Sequence, residues 1–258
     1  MDKLRITTVQ STLHWKDAQS NRSLFDQKLV PLVGQTDLVI LPEMFTTGFS
    51  MEPADVAEPM NGPTIQWMQD KARQLGAALT GSLILEENEH YFNRLIWMRP
   101  DGTFEQYDKR HLVTLAGEHE VFTAGKEKLI TEWLGWKICP MVCYDLRFPV
   151  WSRNAENWDL LIYVANWPQK RRLHWKTLLQ ARAIENQCFV AGVNRVGTDG
   201  VGLTYVGDTS VIDYAGHHLQ QTATVEGHFT CTISKKSMLD YRSKLNFLPD
   251  QDKFQIFP

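Results

Sequence analysis

No stretch of this chain approaches the roughly 18 consecutive apolar residues of a membrane-crossing helix, so no membrane partner is expected. A charged leader ahead of an apolar segment is missing too. Met1-Asp2-Lys3-Leu4 runs straight into an alternating strand, and a cytoplasmic location is expected. Neither sign of charge is in excess: 27 basic and 30 acidic residues leave a formal charge of -3, which offers no footprint for nucleic acid. The one basic run, Lys170-Arg171-Arg172, reads first as a solvated loop or helix start. Cysteine is scarce. Cys139, Cys143, Cys188 and Cys231 have neither the density of a disulfide scaffold nor a paired zinc-ligand spacing, so no metal is expected. Repeats, low-complexity segments and linkers are absent as well. With 43% hydrophobic and 22% charged residues, the 258 residues read as a single soluble domain spanning 1–258.

What is present alternates between two periodicities. Residues 4–11 alternate as a strand, and Phe25, Leu29, Leu32 and Val33 then recur at helical spacing before Gly34. Residues 37–42 form a buried strand that stops at Glu43. Ile65, Met68, Ala72 and Leu75 mark a second helix, and residues 78–85 a third strand. This rhythm predicts an α/β fold with a sheet covered by helices. Hairpin strands over 91–98 and 103–108 follow, the second running out at Lys109. A polar segment to Gly125 carries Glu118-His119-Glu120. Beyond Cys143 the pattern predicts a helix, a strand over 159–165, a helix over 173–186 and a strand over 188–193. Hairpin turns at 213–216 and 225–227 and a short helix over 236–244 close the series.

The chain is organised around residues 137–149, where an apolar run stops abruptly at Cys143 and polar residues follow. Pro149 suits the first turn of a helix, and Asp145 lies close enough upstream to cap it. Cys143 is then placed between a strand end and a helix start, where backbone N–H groups and the helix dipole favour a thiolate. The bland alternative is a buried cysteine acting as a small hydrophobe.

Glu43, Lys109 and Cys143 each follow directly on a predicted strand, where α/β sheets gather their active sites. Taken singly, the glutamate and the lysine are ordinary loop and surface residues. Together they supply what thiol amide hydrolysis needs: a base for the thiol, a cation for the oxyanion, and the nucleophile.

LPEMFTTGF around Glu43, YDKRHL around Lys109 and CYDLRFPVW around Cys143 resemble the three signature segments of the nitrilase superfamily of carbon-nitrogen hydrolases. The likeness extends through Asn166-Trp167-Pro168, residues 181–187 and residues 207–210, and is greatest to bacterial omega-amidases. It implies a four-layer α-β-β-α sandwich and a Glu43-Lys109-Cys143 triad. A further catalytic glutamate falls best on Glu118, with Glu120 out of register. The implied mechanism passes through a Cys143 thioester, with the oxyanion held by Lys109 and the Tyr144 backbone N–H, and needs no cofactor.

The substrates this branch implies are short dicarboxylate monoamides such as 2-oxoglutaramate and 2-oxosuccinamate. Arg147 is the candidate for the far carboxylate, against a reading in which it braces the elbow through a buried ion pair. Arg171 is a second candidate, and Asn166 and Trp167 are expected in the pocket. A homodimer joined through the helical face is implied, with the tail at residues 254–257 crossing the interface. Nitrile hydrolysis, carbamoyl hydrolysis and acyl transfer are the alternatives within the family. A papain-like Cys-His peptidase and a non-catalytic binding protein are the alternatives outside it.

Overall fold

Successive side chains of a strand point to opposite faces, and here both faces are dry. Leu38 and Ile40 enter one buried cluster while Val39 and Leu41 enter another. Leu95 and Trp97, against Ile96 and Met98, repeat the division. Burying each such side chain contributes roughly 1.5–3 kcal/mol. A sheet apolar on both faces needs a covering layer on each side.

The computed structural model describes residues 1–257. The first half contains β1 (Lys3–Gln10), α1 (Ala18–Leu29), β2 (Leu38–Ile40), a two-residue β3 (Glu58–Pro59), α2 (Pro63–Leu75), β4 (Ala78–Glu87), β5 (His90–Met98) and β6 (Phe104–Asp108). There follow the single turn α3 (Glu118–Val121), β7 (Thr131–Trp133), β8 (Trp136–Val142), β9 (Leu160–Ala165), α4 (Arg172–Asn186) and β10 (Phe189–Asn194). The chain continues through β11 (Val196–Thr198), β12 (Thr204–Val206), β13 (Ser210–Ile212), β14 (His218–Gln221), β15 (Gly227–Ser234) and α5 (Lys235–Lys244).

One sheet has the order β15-β1-β2-β4-β5-β6 with β3 beside β4, and the other β14-β13-β10-β9-β8-β7. The hairpin β11-β12 stands apart. Phe25 and Leu29 of α1 and Ile65, Met68 and Ala72 of α2 cover one face of the first sheet. Trp175, Leu179 and Ala183 of α4 cover the second, close enough that a Cβ on Gly192 of β10 would meet Leu179 at 2.4 Å. Leu4, Ile6 and Leu38 share the core between the sheets with Ile138, Leu160 and Ile162. The layers are therefore α-β-β-α, as expected.

Two expectations fail. No helix opens at Pro149; a five-residue 3-10 turn, Cys143–Arg147, begins at the cysteine itself, and the chain stays irregular up to β9. Asp145 has no oxygen left to cap a helix there, because both accept bonds from Val142, Tyr107 and His111. Residues 225–227 do not close a hairpin. They carry the chain from one sheet to the other, since β14 pairs with β13 but β15 pairs with β1, whose outer edge it covers. Within its own chain the tail is held where Arg110 donates to the Phe257 carbonyl at 2.9 Å and Ile256 packs against the central core.

Candidate active site

Pairing brings the three strand ends together from two different sheets. Glu43 follows β2, Lys109 follows β6 and Cys143 follows β8, whose neighbour β9 ends at Asn166. Glu43 and Lys109 have no exposed surface, and Cys143 has 6%. Lys109 Nζ lies 3.1 Å from Glu43 Oε1 and 2.8 and 3.0 Å from the two Glu118 oxygens. Of the two glutamates weighed for that position, Glu118 is buried against Lys109 and Glu120 is exposed. Gly117, at φ +76°, turns the chain so that α3 begins with Glu118 pointing inward, where its Oε2 also accepts the Val113 N–H at 2.6 Å.

Glu43 is fixed from several directions. Its Oε1 accepts from Asn93 Nδ2 at 2.8 Å, its Oε2 from the Asn166 N–H at 2.7 Å, and its carbonyl from Asn166 Nδ2 at 2.7 Å. Asn166 thus anchors the acid rather than only lining a pocket. Asn93 was not singled out from the sequence, although an amide inside the apolar strand His90–Met98 is the kind of buried polar residue that needs a partner.

Cys143 sits at φ +43°, a left-handed conformation that non-glycine residues rarely adopt and that persists only where the surroundings enforce it. The thiolate expected from the elbow is not favoured in the free site. Burial first, and then the Glu43 charge, push the Cys143 thiol well above its ordinary value, and Lys109 opposes them only in part. A base is therefore required to ionise it. Burial would lower Lys109, but the Glu118 and Glu43 charges outweigh it and hold the group well above the ordinary lysine value, as an ammonium. Burial raises Glu118 despite the Lys109 charge that opposes it. The leading charges acting on Cys143 are those of Glu43, Lys109 and Glu118.

Above Cys143 opens a cavity of about 300 Å³. Tyr144, Arg147, Asn166, Trp167 and Arg171 all line it, together with Phe49 and Tyr205, which sequence reasoning did not single out. Tyr205 comes from the separate hairpin, where Asp199 accepts its hydroxyl at 2.8 Å and the N–H groups of Val201 and Leu203. Arg147 lies with its guanidinium 4.6 Å from the Trp167 ring centre and has His174, not a carboxylate, as hydrogen-bond partner at 3.3 Å. Burial, followed by the like charge of Arg171, lowers its pKa, and among the described residues neither guanidinium is paired with a carboxylate. The elbow is braced instead by Arg182, which donates to the Leu146 carbonyl at 2.8 Å. Among the described residues no cluster of three or more His, Cys, Asp or Glu side chains is placed to hold a metal ion.

Comparison with known proteins agrees with this geometry. Omega-amidase YafV of Escherichia coli K12 is 45% identical over the whole of both chains. The 2-oxoglutaramate amidase of Bacillus subtilis is 33% identical, with 83% of this chain and 84% of that protein covered. The crystal structure of XC1258 from Xanthomonas campestris, a CN-hydrolase superfamily protein with an arsenic adduct in its active site, superimposes with a TM-score of 0.98 at 49% identity over all of both chains. The carbon-nitrogen hydrolase family model matches residues 7–242, and with the buried Glu-Lys-Cys cluster at two facing sheets this chain belongs to the carbon-nitrogen hydrolase family.

Proposed function

We propose that this enzyme hydrolyses the terminal amide of short dicarboxylate monoamides, 2-oxoglutaramate foremost, through a thioester on Cys143. The observation that carries the reading is a buried thiol beside a carboxylate and a doubly held ammonium, under a cavity lined by two guanidiniums that have no carboxylate partner among the described residues. The names of two relatives, omega-amidase and 2-oxoglutaramate amidase, point to the same substrate class.

Glu43 takes the thiol proton as sulfur attacks the amide carbon. The resulting oxyanion meets Lys109 and the Tyr144 backbone N–H, and Glu118 keeps Lys109 oriented and charged. As the C–N bond breaks, the proton held by Glu43 passes to the nitrogen and ammonia leaves. Water, deprotonated by Glu43, then attacks the thioester and releases the acid. Arg147 grips the distant carboxylate through a bidentate pair, with Arg171 adding positive charge. Trp167 supplies a flat apolar wall.

The partner assigned to the chain is a second copy. Leu173 and Ile184, 74% and 45% exposed, lie on one face of α4 about three turns apart, an apolar edge on the outer helical layer. Four free cysteines suit the reducing cytoplasm assigned to it.

Ammonia release tests the reading across 2-oxoglutaramate, succinamate, butyramide, a short nitrile and a carbamoyl compound. The acidic amides should be hydrolysed fastest, and Cys143→Ala should be silent on all. Arg147→Lys should lower the acidic-to-neutral ratio of kcat/KM about five- to a hundredfold, because a point charge replaces the planar fork. Equal decline on both amides would remove Arg147 from substrate selection.

A further inference from the structure

Lys109 and Cys143 belong to different sheets, and no strand-to-strand pairing joins those sheets. Their mutual placement must come from side chains that cross between them. Glu43 does so at Asn166, and a second carboxylate does so beside Lys109 and Cys143. Asp145 has no exposed surface and stands two residues after Cys143. Its Oδ2 accepts the Tyr107 hydroxyl at 2.7 Å and the Val142 N–H at 3.0 Å. Its Oδ1 accepts the His111 N–H at 3.0 Å and lies 2.7 Å from His111 Nδ1. Tyr107 and His111 are two residues before and two residues after Lys109, and Val142 immediately precedes Cys143. The Tyr107 oxygen in turn receives the Trp151 indole N–H at 3.1 Å and the Arg110 N–H at 3.3 Å, and His111 stacks on Phe148 at 3.8 Å.

We infer that Asp145 is a positioning residue for the hydrolysis proposed above: by bonding both flanks of Lys109 and the residue before Cys143, it fixes the oxyanion-binding ammonium relative to the nucleophile. A buried carboxylate with four donors and no Lys or Arg is an odd device for stability alone, since apolar packing would join two sheets without desolvating a charge. It is well suited to registration. Four bonds set direction as well as distance, and misplacing a reacting group by about 1 Å costs on the order of a hundredfold in rate.

This inference rests on the proposed amide hydrolysis, and wild-type assays are read first: an enzyme that released no ammonia from any amide would sink that reading and not this one. On an active enzyme, Asp145→Asn turns one accepting oxygen into a donor that faces a backbone N–H. The expected result is a kcat about ten- to a hundredfold lower with KM within about threefold. Alkylation of Cys143 by iodoacetamide forms no oxyanion, so its rate should stay within about threefold of wild type. Tyr107→Phe removes a single link and should lower kcat severalfold, and the double variant should be no worse than Asp145→Asn. An unchanged kcat, or a kcat and an alkylation rate that fall together, would overturn the proposal. Should Asp145→Asn fail to fold, Tyr107→Phe decides alone, and a wild-type kcat in it would overturn the proposal equally.

Discussion

At the scale of single residues the site is a problem in charge. One buried ammonium stands between two buried carboxylates, so Lys109 is held charged and Glu118 is bonded to it through both oxygens. Lys109→Ala should damage the transition state more than substrate binding, because the oxyanion does not exist in the ground state. A loss of about 3–4 kcal/mol, a hundred- to a thousandfold in kcat, is expected from steady-state kinetics. A change confined to KM would refute the role. Cys143 offers a second test. Burial and the Glu43 charge both raise its pKa, so its alkylation by iodoacetamide should reach half its limiting rate above about pH 8.5, the midpoint of an ordinary thiol. Removing the charge in Glu43→Gln lowers the thiol pKa, and the plateau should move to lower pH while hydrolysis is lost. Rate profiles between about pH 6 and 10 on both proteins check the sign. A plateau that moved upward would mean that Glu43 had been favouring the thiolate.

At the scale of elements, what matters is how the strand ends are pinned. Gly125 donates to the Lys109 carbonyl at 3.0 Å, and a Cβ there would stand 2.1 Å from the Asp108 backbone oxygen. No flexible side-chain end is available to give way. Gly125→Ala should therefore push the end of β6 outward, cost about 1–3 kcal/mol in urea unfolding and lower kcat through the displaced ammonium. Unfolding and kcat both matching wild type would show that the loop yields elsewhere. The separate hairpin β11-β12 illustrates the same dependence from the substrate side. Asp199 gathers two backbone N–H groups and the Tyr205 hydroxyl, so that one carboxylate shapes the turn and seats a ring in the cavity wall.

For the whole molecule, two sheets share one core and each carries its own helical cover. The exposed apolar edge of α4 is the face assigned to a second copy. Light scattering should give about twice the 29.7 kDa of one chain. A Leu173→Glu and Ile184→Glu double variant should halve that mass, since charged side chains are not tolerated at the centre of an apolar interface. Wild-type protein at the mass of one chain would dismiss the dimer.

The sequence by itself determined the layers and the ends. The continuous apolar run at Leu38–Ile40 and helical spacing at Ile65, Met68 and Ala72 are local, and each marks apolar surface that must be covered. The abrupt ends of three strands placed Glu43, Lys109 and Cys143, and the motifs around them marked a thiol hydrolase before any contact was known. What only the tertiary structure decided is what those residues touch. Glu118 and Glu120 differ by two positions along the chain, yet one is buried against Lys109 and the other faces solvent, because of a left-handed turn at Gly117. Asp145 has the local spacing of a helix cap, but Tyr107 and His111 arrive from another sheet and claim its oxygens. Asn93 reaches Glu43 across fifty residues, and Tyr205 enters the cavity from a hairpin outside both sheets. Periodicity records which face of an element is buried. It carries no record of which distant polar group will meet it there, since that is set by how the two sheets come face to face.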